Sequence, residues 1–350
     1  MKTSALEFDR PASLQAHAPV ELTRGSRDAV RLLLSGSEGR EVRRFSELPE
    51  ILRPGDLVVV NRSAAVRASL PASAGFGPFR LNLSTDYGRG VWLAEPRYGP
   101  GDPGPVPLEV GDPFVAGGLP GSVVAFYPGA PRLAFVRLEG NVPSAMERFG
   151  EPIRYGYVSA AYPIETYHSV FSDVPGSAEM PSAGRPFTRA TLDALAARGI
   201  SIARITLHTG VSSLEIETES VSGVPVYPEP FEVPAETVAA IRRTRARGGR
   251  VVAVGTTVVR ALETAGTGGP LVPSRGFTRA FVSPDRPPRI ADALLTGFHD
   301  PRTSHLAMLA AFEGIERLRL DYATAVDQGL LWHEFGDAHL MFRDRTPSAR

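Results

Sequence analysis

The chain has 350 residues, 43% of them apolar, with no cysteine and with 38 basic against 38 acidic side chains. That length points to two cores, because a single core stops growing near about 250–300 residues. Absence of cysteine excludes disulfides, a thiolate nucleophile and Cys-based metal sites, balanced charge excludes a global positive field for nucleic acid, and no run of about 18 uncharged apolar residues marks a signal peptide or membrane span, so a cytoplasmic protein with no membrane partner is expected.

In chain order, residues 29–34 and 57–60 read as strands flanking a short helix in 45–56, capped by Ser46 and closed by a Pro54-Gly55 turn. Between residues 62 and 154 the texture changes to short apolar stretches separated by Gly/Pro clusters, which predicts an inserted, small antiparallel β-domain. Helices then return, one capped by Thr188 and one opened by Pro234 and running to Gly248. Strand 251–254 follows, then a helix through Val259, Leu262 and Ala265, helices over 303–312 and 314–326, and an aromatic terminal strand over 335–342. Alternating strand and helix predicts an α/β catalytic domain from residues 1–61 and 155–350, with 62–154 as the insert.

Four segments could carry chemistry. In Val254-Gly255-Thr256-Thr257 a strand stops at glycine and restarts as a helix, and free N–H groups at such a junction suit a carboxylate or phosphate. The alternative is that Thr256 simply caps the helix while Arg260 and Glu263 pair on its surface. His208, next to Thr209-Gly210 at a strand end, is either a proton shuttle or a structural histidine. His299 and Asp300 precede a helix start, and Asp337 follows Gly336 as a turn residue or an acceptor for hydroxyl or amine. His299 and His305 are six apart, as are His333 and His339, with no third ligand nearby, so no metal is expected. The run Arg242-Arg243-Thr244-Arg245-Ala246-Arg247-Gly248-Gly249-Arg250 suits either phosphates or a solvated helix end.

Taken in order, these blocks resemble the S-adenosylmethionine:tRNA ribosyltransferase-isomerases of queuosine biosynthesis. The matching stretches are residues 45–61, Pro181-Ser182-Ala183-Gly184 with Phe187-Thr188, Thr206-Leu207-His208 with Gly210, residues 254–263, Gly276-Phe277-Thr278, Leu295-Thr296 with Phe298-His299 and Pro301, Ala311-Phe312 with Gly314, and Phe335-Gly336-Asp337-Ala338. The resemblance implies an α/β domain formed by both chain ends with a β-barrel-like insert. It also implies a metal-independent reaction that moves the ribosyl unit of S-adenosylmethionine, the co-substrate, onto 7-aminomethyl-7-deazaguanine in tRNA, releasing adenine and methionine and leaving an epoxycyclopentane.

Under that resemblance His208, Arg260 and Asp337 are the catalytic candidates. Gly255, Thr256, Thr257, Glu263, Ala183, Gly184, Phe187, Gly210, Phe298, His299 and Phe335 are the substrate-binding ones. Glu263 is expected to position Arg260, and Arg242, Arg243, Arg245, Arg247 and Arg250 to contact tRNA. The chain departs from the family pattern where histidines are replaced by Pro186, Val224 and Tyr227, with Glu229 retained. It departs also at Ser212-Ser213-Leu214, at Gly297 and at residues 158–163. These losses keep open a paralogue that uses or cleaves S-adenosylmethionine with a small-molecule acceptor and no tRNA.

Overall fold

A computed structural model describes residues 1–36, 39–211, 216, 218–221, 224 and 226–343; the departure at Ser212-Ser213-Leu214 lies outside them. The main domain starts with α1 (Glu21–Arg24), the hairpin β1 (Arg31–Gly36) and β2 (Gly39–Arg44), α2 (Leu48–Ile51) and β3 (Leu57–Asn61). The strap β4 (Ser63–Ala65) leads to β5 (Ser69–Ala74), β6 (Gly77–Asp86), β7 (Val91–Arg97), β8 (Pro113–Ala116), β9 (Leu119–Tyr127) and β10 (Ala130–Leu138), then α3 (Val142–Phe149). The chain returns through β11 (Val174–Ser177), α4 (Arg189–Ala197), β12 (Ser201–Leu207), β13 (Glu229–Val233), α5 (Ala235–Ala246), β14 (Val251–Val254) and α6 (Thr256–Ala265). It ends with β15 (Ser274–Thr278), β16 (Ala293–Gly297), α7 (Ser304–Glu313), α8 (Ile315–Asp327) and β17 (Ala338–Phe342).

β3 is the keel of the main sheet because every residue in it is buried, as a strand covered on both faces must be. It pairs in parallel with β12 and β14, and β14 pairs in parallel with β16. Among the described residues the sheet order is β15-β13-β12-β3-β14-β16-β17-β1-β2, so strands from both chain ends lie side by side. Asp56, at the foot of β3, is 2% exposed and accepts Arg53 N at 2.9 Å and Arg250 N at 3.0 Å, with the Arg250 guanidinium 2.5 Å away. Burial opposes its charge, yet these bonds leave its carboxyl below the ordinary carboxylate range.

The insert closes into an antiparallel barrel in the order β10-β7-β6-β5-β8-β9. Alternation such as buried Phe114 and Ala116 against outward Pro113 and Val115 sends one face of each strand to a core with Leu70, Phe79, Leu81, Val123 and Val136. The straps β4 and β11 pair with each other in parallel and tie the barrel to the sheet.

Two local expectations need correction. The 45–56 helix is a 3-10 turn over Phe45–Glu47 followed by α2; Arg44 rather than Ser46 stands at the N-cap of the turn, its N–H accepted by Glu47 Oε1 at 3.2 Å. Residues 62–154 also contain α3, started by Asn141 accepting Ser144 N at 2.9 Å with Pro143 in the first turn.

Candidate functional site

β3, β12 and β14 are parallel, so their carboxyl ends meet at one edge of the sheet, where open α/β folds bind ligands. Asn61 stitches that edge: Oδ1 accepts Leu207 N at 3.0 Å and Ser63 N at 3.1 Å, while Nδ2 donates to Leu207 O at 2.8 Å and Thr257 Oγ1 at 3.3 Å. His208 Nδ1 lies 2.7 Å from Ser63 Oγ, itself 2.6 Å from Ser177 Oγ, which accepts Thr209 N at 2.9 Å. Burial lowers the His208 pKa, so the ring stays neutral at physiological pH. Gly176, at φ 149°, lies flat against that imidazole; a Cβ there would come within 2.6 Å of the ring.

Behind His208, buried Glu229 accepts Gly210 N at 2.7 Å and pairs with Arg260, whose Nε donates to Ala280 O at 3.1 Å. Glu229, not Glu263, therefore holds Arg260; Glu263 instead accepts Ile290 N at 2.7 Å, because α6 turns it toward the loop before β16. Tyr227 is buried, and its hydroxyl donates to Val211 O. Only glycine fits at 210, since a Cβ would sit 2.4 Å from Ser84 Oγ and 2.7 Å from Tyr227.

Several of the expected ligand-contacting residues also pack or bond within the chain. Gly255, at φ 93°, opens α6 without a side-chain cap, and Thr256 and Thr257 are buried. Ala183 lies close to that helix start, 3.3 Å from where a Gly255 Cβ would be. Phe187 is 1% exposed, wedged edge-on between Phe45 and Phe171 at 5.1 and 5.2 Å, and Gly184 packs on Phe171. Phe335 is buried beneath the Arg185 guanidinium at 4.7 Å. Asp337 borders a small pocket of about 20 Å³ with Ala183 and Phe335, and its carboxylate is already engaged: Oδ1 accepts Arg31 N at 2.7 Å, and Oδ2 accepts Leu331 N at 2.9 Å and pairs with Arg31 at 2.8 Å, fastening β17 to β1.

The open volume lies beside this edge, between sheet and barrel, as a cavity of about 900 Å³. Phe298 and His299 do line it, after β16, together with His305 on α7. His299 Nε2 is 2.9 Å from Thr296 Oγ1, and its ring is 4.6 Å from that of His305. Burial pushes His299 well below the ordinary histidine value and His305 to about 4, leaving both neutral near pH 7.

The barrel side contributes Glu95, Arg97 and Arg132, with buried Glu95 shared between the two arginines and 3.3 Å from Arg97. A column joins the two sides: Arg97 lies 5.3 Å over Tyr155, Tyr155 stacks on Tyr157 at 5.9 Å, and Tyr157 stacks on His333 at 4.4 Å. Tyr155 donates to Glu179, and Tyr157 donates to Glu334 Oε2 at 2.8 Å. Sequence reasoning missed this column. Its only trace was Tyr155-Gly156-Tyr157 and the pair His333-Glu334 just before Phe335-Gly336-Asp337.

The arginine run stands at the opposite edge of the sheet, where α5 ends and β14 begins. Arg250 is bound to Asp56, Arg242 donates to Leu271 O at 2.8 Å and Arg245 to Ile290 O at 2.8 Å, which leaves Arg243 and Arg247 as exposed cations of the run. Elsewhere Glu313, Asp321 and His339 present ligand atoms within 4.8 Å of one another. Arg40 Nε, 2.5 Å from Asp321, supplies the positive charge there, and burial beside Asp321 pushes Glu313 up to about 9. No helix among the described residues is long and apolar enough to cross a membrane.

An α/β sheet with a closed barrel set at its carboxyl edge, enclosing a neutral-histidine, tyrosine-lined cavity, has the build of an enzyme that converts a small polar ligand or part of a larger one. A family model described as queuosine biosynthesis protein matches residues 3–341, and the chain belongs to that family, making it an enzyme of the transferase–isomerase kind. It is 35% identical over 343 residues to the S-adenosylmethionine:tRNA ribosyltransferase-isomerase of Azoarcus sp., covering 97% of this chain and 96% of that protein. It is 36% identical to the protein of the same name from Thermus thermophilus, covering 96% and 98%. The crystal structure of the S-adenosylmethionine tRNA ribosyltransferase from Thermotoga maritima superposes with a TM-score of 0.54 at 28% identity, covering 97% of this chain and all of that one.

Proposed function

We propose that the chain transfers and rearranges the ribosyl moiety of S-adenosylmethionine onto 7-aminomethyl-7-deazaguanine in tRNA, releasing adenine and methionine, as a cytoplasmic enzyme whose reaction needs no metal. The observation that carries the reading is the cavity at the carboxyl edge of a chain that matches the named relatives over nearly their whole length. Its volume of about 900 Å³ is within the range of cavities that enclose a cofactor-sized molecule. The reaction needs a proton acceptor near the sulfonium, a hydrogen bond for departing adenine and an apolar aromatic wall for positive sulfur. Neutral His299 and His305, the Tyr155–Tyr157 stack and Phe298 offer those groups.

In this reading His208 and Arg260 are positioning residues one layer behind the wall. Ser63 and Ser177, bonded to His208 or to each other, sit on the straps that continue into cavity residues Ala65 and Ala178, and the charge of Arg260 reaches His305. Contact with tRNA at the cavity falls to Arg132, the half-exposed cation of its barrel side, more than to the distant arginine run. The test is mass spectrometry of the purified protein with S-adenosylmethionine, with and without tRNA carrying 7-aminomethyl-7-deazaguanine. Adenine and methionine appearing only with that tRNA support the proposal. Breakdown indifferent to tRNA transfers the function to a small-molecule paralogue.

A further inference from the structure

The four described carboxylates of the cavity wall differ in how they are held. Glu95 is shared by Arg97 and Arg132, Asp300 lies 3.0 Å from Arg10 and 3.4 Å from His333, and Glu179 accepts the Tyr155 hydroxyl. Glu334 lines the same cavity and accepts the Tyr157 hydroxyl, yet no described side chain forms an ion pair with it. Arg185, whose charge reaches Glu334, is committed to Glu21 at 2.5 Å. A carboxylate drawn out of water without a cation is costly, and burial raises the Glu334 pKa, so a ligand cation beside it would supply the countercharge that favours its ionised form.

Glu334 is also held in place by strain. His333 adopts φ 71°, a left-handed conformation that a non-glycine residue rarely accepts, and its ring lies on Tyr157, the residue that clamps Glu334. From the left-handed turn at His333 the chain runs directly into Phe335, buried in the wall between Tyr162 and Tyr167, so the carboxylate is pinned on both sides.

We propose that Glu334, oriented by Tyr157 and His333, is the residue that binds a primary ammonium group of the substrate in this cavity. The assignment rests on the functional reading above, and it moves the amine-holding role expected of Asp337, which is paired with Arg31, three residues back to a carboxylate that lines the large cavity. Two sources carry that chemistry in the reaction: the α-ammonium of S-adenosylmethionine and the aminomethyl group of the acceptor base.

The experiment uses Glu334→Gln, which keeps size and hydrogen bonding but removes the charge, with melting temperature as the folding control. Calorimetry with S-adenosylhomocysteine and with 5′-methylthioadenosine, which lacks the amino-acid tail, reads the first source. KM for tRNA bearing the aminomethyl base, against KM for S-adenosylmethionine, reads the second. A charge-assisted bond to the α-ammonium weakens S-adenosylhomocysteine on the order of ten- to a hundredfold in the variant and leaves methylthioadenosine unchanged. A bond to the acceptor leaves both nucleosides unchanged and raises the KM of the tRNA by a similar factor. A normally folded variant with neither change overturns the proposal alone. Wild-type protein that binds none of these ligands overturns the functional reading together with it.

Discussion

The strand-end seam and the cavity wall lie next to each other and are built on opposite terms. In the seam, Asn61, Ser63, Ser177, Glu229 and Arg260 are bound to one another or to backbone, and glycines at 176 and 210 let the pieces close to contact. In the wall, histidines are kept neutral, Glu334 lacks a countercharge and His333 is strained. A seam bonded largely to itself, with Arg260 Nη2 left unpartnered among the described residues, contributes stability and position. A wall with unspent polar capacity contributes binding and chemistry.

The largest expected effect breaks the seam. Glu229→Ala leaves the Arg260 guanidinium, 14% exposed, without its carboxylate and should destabilise the fold by about 3–5 kcal/mol, measured by chemical denaturation. A loss under about 1 kcal/mol would move Glu229 out of the scaffold and into the class of ligand groups.

Acid probes the wall. His305 is held at about 4 against an ordinary 6.5, so the unfolded chain binds more protons between those values. Its contribution is therefore complete above about pH 6.5 and is lost as pH falls toward 4, about 3 kcal/mol in all. His305→Gln should flatten the acid side of the stability-against-pH curve, and an unchanged curve would place the acid sensitivity elsewhere.

Asn61→Ala removes four bonds at the head of β3 and should lower stability by about 1–3 kcal/mol, seen as a shifted denaturation midpoint with an unchanged slope. Tyr157→Phe sharpens the contrast from the other side: it deletes the donor to Glu334 and should reduce kcat/KM about tenfold with little change in melting temperature. Equal losses of stability and activity would make the tyrosine a scaffold residue. The smallest effect concerns the distant arginines: Arg243→Ala with Arg247→Ala should change kcat/KM for tRNA by less than about twofold. A steep loss, with a flatter salt dependence, would extend the RNA surface around to the amino edge of the sheet.

The locally encoded features were legible where one residue type forces one conformation. Thr188 does cap α4 through Thr191 N, Pro234 does precede α5, and the run 251–254 is a buried strand followed at once by α6. The change of texture after residue 62 marked an insert whose strands close into a barrel, although α3 within it was passed over despite its Asn and Pro signals. Site residues were harder to read. Phe187, Asp337 and Thr257 stand out because packing or hydrogen bonding demands particular side chains there: Phe187 is buried, Asp337 accepts Arg31 N and Thr257 accepts Asn61 Nδ2.

The sequence by itself determined a Cys-free α/β chain with a β insert and the blocks that identify its family, since periodicity, caps and turns act over a few residues. Only the tertiary structure decided which polar groups remain available to a ligand. Tyr157 meets His333 across 176 positions and Arg97 lies over Tyr155 from the barrel, so their juxtaposition depends on how the straps β4 and β11 dock the barrel on the sheet. No local pattern records a neutralising partner, or its absence, at that distance.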